Sequence, residues 1–136
     1  MSAGHVSLPS VSKSGNRLDS LYWGSTGLLI AQLVVSASLL IIRPTMVTTV
    51  VRHLGYPDYF PIYLGIAKAL AAVAIAQAWS ATLREWAYAG VTFDLLAASL
   101  SHLAVHDSGK EVAGPLVIMS LVVISYTAYL KTGRQS

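Results

Sequence analysis

Asp94 and His102 stand eight residues apart within Glu85 to Asp107 (EWAYAGVTFDLLAASLSHLAVHD), a stretch otherwise apolar enough to cross a bilayer. A carboxylate or imidazole there must find a partner, a proton or a water-filled cavity, so such residues mark a functional site by default. On a helix, about 100° per residue sets Asp94 and Ser101 within about 20° of one another, and His102 about 80° round from Asp94. The three share a broad face. Their axial separation of about 12 Å keeps Asp94 from bonding His102 directly. Lys68 interrupts another apolar stretch and, on an antiparallel neighbour, lies between the two in depth. An Asp94–Lys68 pair is the first expectation, because a buried lysine without a carboxylate tends to lose its proton. The pair reads either as an ion pair that fixes helix register or as a ligand or proton site. The second reading is preferred, since buried pairs are poor stabilisers.

Asp94, His102 and Lys68 are thus the candidate catalytic residues, with His102 a neutral hydrogen-bonder or proton shuttle near the outer face. Ser101, Glu85, Trp86, Tyr88 and Tyr63 complete a candidate ligand-binding set. Glu85, Trp86, Tyr88, Tyr56 and Tyr59 fall near span ends, where anchoring at headgroups is the plainer role. His102 and His106, four residues apart and followed by Asp107, have helical metal spacing but lack a defined further ligand, so no metal is expected.

The elements that hold these groups follow from hydropathy. Of 136 residues, 54% are hydrophobic and 11% charged, and the apolar residues gather in four runs. That pattern predicts an all-α, polytopic membrane four-helix bundle with spans at 21–42, 62–79, 86–105 and 112–130. A short interfacial helix is expected within Thr45 to Tyr59, where Met46, Val47, Val50, Val51 and Leu54 recur at helical spacing. The Ser- and Gly-rich segment 1–20 reads as a flexible tail, 21–131 as the transmembrane domain and 132–136 as a C-terminal tail. Ala67, Ala69, Ala71, Ala72, Ala74 and Ala76 make the second span a close-packing helix, and Gln32, Ser36 and Ser38 in the first read as helix-packing groups. Pro115 is expected in the first turn of the last span.

Absence of cysteine removes disulfides, thiolate metal sites and dithiol relays, so any redox chemistry must be borrowed. The net charge of +3 is spread over both ends and the loops, which suits anionic lipid headgroups and offers nucleic acid no basic stripe. Lysine and arginine favour the side carrying both termini by 5 to 3, which predicts a multi-pass protein of the inner membrane with both termini cytoplasmic.

The set His53-Leu-Gly-Tyr-Pro-Asp-Tyr59, Leu64-Gly65-x-x-Lys68, Arg84 to Gly90, Phe93-Asp94 and Ser101-His102 with Asp107 resembles the DoxX-like family of small bacterial membrane proteins. It covers about Arg52 to Asp107, and the flanking spans agree with that family's four-helix layout. This chain departs where the family often has glycine near Ala71, a proline after the second helix, and glycine in place of His106. The resemblance implies one shared cavity around Lys68, Glu85, Trp86, Tyr88, Asp94, Ser101 and His102. It also implies quinone-linked oxidoreductase subunits, or membrane partners of redox enzymes, as functional relatives.

The leading expectation is a bundle enclosing a pocket for a lipophilic molecule with a polar head, a quinone being the candidate cofactor. It would serve a partner oxidoreductase, with Lys68 and His102 on the head. The runner-up is a membrane-embedded acid–base enzyme (isomerase, cyclase or hydrolase) with Asp94 as base and His102 as acid. A membrane scaffold or assembly factor is the third.

Overall fold

The computed structural model describes Gly4 and residues 13–134; the rest of the two expected tails lies outside the described residues. Five helices make up that region: α1 (Lys13–Ile42), α2 (Thr45–His53), α3 (Phe60–Ala76), α4 (Ala81–Ala104) and α5 (Gly109–Lys131). All-α architecture and the short second helix are as the hydropathy pattern predicts.

Boundaries differ where polar side chains extend helices past the apolar runs. α1 begins at Lys13 rather than Leu21, so 13–20, expected in the flexible tail, is helical. Within it Ser20 bonds the Asn16 carbonyl (2.9 Å) and Asp19 accepts from Arg134 (3.1 Å), tying that turn to the end of α5. α4 begins at Ala81 because Ser80 caps it, its hydroxyl accepting from the Leu83 amide at 3.3 Å. α5 begins at Gly109, which moves Pro115 from the expected first turn into the helix interior. There the missing N–H leaves one i−4 carbonyl without its donor.

The long helices run antiparallel to their neighbours: α1 packs on α3 and α5, and α4 packs on the same two. α2 packs closely on none of them. One end therefore carries the start of α1, the α3–α4 connection and the end of α5; the other carries α2. The core lies toward the first end, where Tyr22, Leu29, Leu33, Ile75, Val91 and Val122 are buried. Tyr88, Tyr126 and Tyr129 add a ring cluster with centroids 5.2–6.0 Å apart. Thr26 and Tyr88 each reach the Ser125 hydroxyl at 2.7 Å, which satisfies those three hydroxyls, whereas the buried Tyr129 hydroxyl has no hydrogen-bond partner among the described residues. Toward the same end, Trp23, Trp79 and Trp86 are exposed.

α3 approaches α1 tightly at Gly65. A Cβ on Gly65 would stand 3.0 Å from the Ala37 carbonyl oxygen and 2.8 Å from the Ile41 side chain, so glycine is what allows these backbones to approach. The alanines that follow it also pack inward: Ala72 is buried in the core, and Ala71 and Ala74 pack against it.

Candidate functional site

Lys68 on α3 and Asp94 on α4 face each other across the seam of the two helices, and the ammonium donates directly to the carboxylate Oδ2. Their side chains are 10% and 19% exposed. This is the pair expected from the sequence. Neither charge can rely on water at that depth, so each requires the other.

The pair is set into the wall of an open-sided cavity of about 810 Å³ in the α2 half of the molecule. Its surface is otherwise almost wholly apolar: Val35 and Leu39 from α1, Met46 and Val50 from α2, Leu95 from α4 and Ile118 from α5 are representative. α2 lies over the cavity without packing into it, which is why the space exists. A smaller groove of about 360 Å³ runs between α3 and α4, and Leu64, Lys68 and Asp94 line both spaces. The ion pair is thus the partition between them.

Two further polar side chains reach the large cavity from α1, Gln32 and Ser36. Gln32 makes no hydrogen bond among the described residues. It lies ten residues before the end of α1, Asp94 ten before the end of α4, and Lys68 eight after the start of α3. At about 1.5 Å per residue the three fall at nearly one depth, about 12–15 Å from the α2 end. Sequence reading assigned Gln32 and Ser36 to helix packing. Their equal depth with Asp94 was the available signal, but which way α1 is rotated depends on its tertiary neighbours.

His102 is not brought to the ion pair. Its Nδ1–H donates to Asp107 Oδ2 at 2.7 Å, and His53 Nε2–H donates to Asp107 Oδ1 at 2.6 Å. Asp107 therefore links the end of α2 to the end of α4. Both bonds stabilise the carboxylate and hold the Asp107 carboxyl below its usual range, His102 contributing most. Beside this clamp, Ser101 donates to the Ala97 carbonyl at 2.8 Å, so the Tyr56 hydroxyl, 2.6 Å away, donates to Ser101. Tyr56 stacks on Phe60 with centroids 4.3 Å apart, and both line the cavity. His53 and Tyr56 were read from sequence only as family-motif and anchoring residues.

The other candidates separate. Trp86 lines the smaller groove with its ring largely exposed. Tyr88 belongs to the packed tyrosine cluster, with its hydroxyl on Ser125, and does not line either space. Glu85 is exposed at the far end of α4, and Tyr63 is exposed on the outer face, edge-on to Tyr59 at 5.9 Å. His106 is exposed and adopts a left-handed backbone (φ 59°) just past the end of α4. Asp94 is bonded to Lys68 and His102 to Asp107, so the structure does not bring Asp94 and His102 together.

α1 and α5 are long and apolar enough to cross a membrane, and α3 is a shorter apolar helix. No curated protein and no solved structure matches the chain. The model of the DoxX-like family matches residues 24–125, a span that takes in the ion pair, the cavity and the Asp107 clamp together, and by that match the chain belongs to the DoxX-like family.

Proposed function

We propose that α1, α3, α4 and α5 are four membrane spans, with both termini on the cytoplasmic side of the inner membrane. Their large cavity holds a small lipophilic molecule for a partner oxidoreductase. A quinone is the candidate occupant. The observation that carries this reading is the Lys68–Asp94 pair in the wall of an otherwise apolar 810 Å³ space. Ligand sites commonly combine apolar walls with a few converging polar groups, and intramembrane charges mark such sites. Lys68 and Asp94 meet the polar head in this reading, and the apolar walls take the remainder. His102 acts through α2 and the cavity mouth rather than on the head.

The test is what the protein carries. Wild-type protein extracted in native-lipid discs should retain a lipophilic compound at near-stoichiometric amount, and Ala98→Phe, which fills the cavity from α4, should lose it while keeping its helical circular dichroism. A reversible absorbance change of the extracted compound on borohydride reduction would identify a quinone. No enriched compound in the wild type, or equal retention in Ala98→Phe, would overturn the pocket.

A further inference from the structure

The polar layer at the inner end of the cavity restricts the head that can sit there. Lys68 and Asp94 cancel in charge, so a carboxylate, phosphate or ammonium head would bring a third, uncompensated charge into an apolar space. The bonding capacity left over is also specific. Of the three hydrogens on the Lys68 ammonium, one is directed at Asp94 Oδ2; Asp94 Oδ1 accepts nothing among the described residues. The Gln32 amide, at the same depth on the opposite wall, has both its oxygen and its nitrogen free among the described residues. Donors and acceptors are thus both on offer.

An ether or ketone can only accept, which leaves Asp94 Oδ1 and the Gln32 oxygen unmet. A hydroxyl does both: it donates to Asp94 Oδ1 or the Gln32 oxygen while accepting from Lys68 or the Gln32 amide nitrogen. We infer that the cavity is a site for an amphiphile with an uncharged, hydroxyl-bearing head, an alcohol or phenol, seated between Gln32 and the Lys68–Asp94 pair with its tail toward α2. This rests on the cavity being a ligand pocket. Of a quinone couple, the reduced, hydroxyl-bearing member fits the description.

Four photolabels with the same mid-chain diazirine test it: dodecanol, dodecanoate, dodecyltrimethylammonium and dodecane, each titrated into discs holding the protein, with labelled peptides mapped by mass spectrometry. Dodecanol should label cavity residues at about tenfold lower concentration than the other three, the difference expected for one charge-assisted hydrogen bond. Gln32→Leu should reduce that advantage by about threefold, the share of one neutral hydrogen bond to its amide, while dodecane labelling stays unchanged, which also shows the variant is folded. Gln32→Met is the second variant should leucine perturb α1. Equal labelling by all four, or preference for dodecanoate, overturns the hydroxyl-head inference and leaves the pocket standing. Labelling of the cavity by none removes the pocket itself.

Discussion

Removing either member of the Lys68–Asp94 pair strands the other in a setting with little water, which costs about 3–5 kcal/mol for a buried ion pair. Lys68→Met and Asp94→Leu should each lower thermal stability in detergent, and the double variant should lose less than the sum, with coupling of about 1–3 kcal/mol. Additive losses would show that the two charges do not depend on one another. At the other polar cluster the sign of the pH response follows from Asp107, whose carboxyl is depressed by His102 and then His53. A depressed carboxyl contributes stability that is fully present above the unfolded pKa, about 3.9, and is lost as pH falls through the lower folded value. Protection of α2 amides from hydrogen exchange, relative to intrinsic rates, should therefore be high at pH 6 and fall below about pH 4. Asp107→Asn should show the lower protection already at pH 6. The ion pair was legible in the sequence because its two charges stand alone in apolar runs, at depths that antiparallel helices make similar. The partner of His102 was not, since it depends on a backbone reversal at His106 that returns Asp107 toward α4.

Between helices, Gly65 decides how closely α3 and α1 approach. Alanine would favour the helix by about 1 kcal/mol through propensity. Its methyl, however, would stand 3.0 Å from the Ala37 carbonyl, a backbone atom that cannot rotate aside. Overpacking should prevail, and Gly65→Ala should lower stability by about 1–3 kcal/mol while displacing Lys68, one turn along the same helix. An unchanged or raised melting temperature would mean that α1 and α3 can separate freely. His106 offers the opposite case. It holds a left-handed conformation at the end of α4, exposed and with no side-chain hydrogen bond among the described residues, where glycine pays no steric penalty. His106→Gly should raise stability by about 0.5–1 kcal/mol, measured as a higher melting temperature. Helix number, type and approximate placement were legible from hydropathy. The starts of α1, α4 and α5 were not, because Asp19, Ser80 and the 108–111 turn extend helices through polar residues that an apolar count excludes.

Taken whole, the molecule carries its buried core toward one end and the 810 Å³ cavity toward the other. The tyrosine cluster and its hydroxyl network occupy the half with the start of α1 and the end of α5, and the cavity under α2 occupies the other. Hydropathy could not foresee this contrast, because leucines and valines that line a space are spelled the same way as those that fill one. The expected topology places residue 110 outside and the C-terminus inside, from the 5-to-3 lysine and arginine bias. Reporter fusions at those two positions check it, and a periplasmic reading at the C-terminus would reverse the orientation or change the number of spans. The same asymmetry extends to light: Trp23, Trp79 and Trp86, every indole in the chain, project from the half with the core. On the proposed four-span topology, emission from this protein originates at one face of the bilayer. In sealed vesicles, iodide added outside would dim only those molecules in which the start of α1 faces outward, so the quenched fraction counts the two insertions directly, without label or fusion.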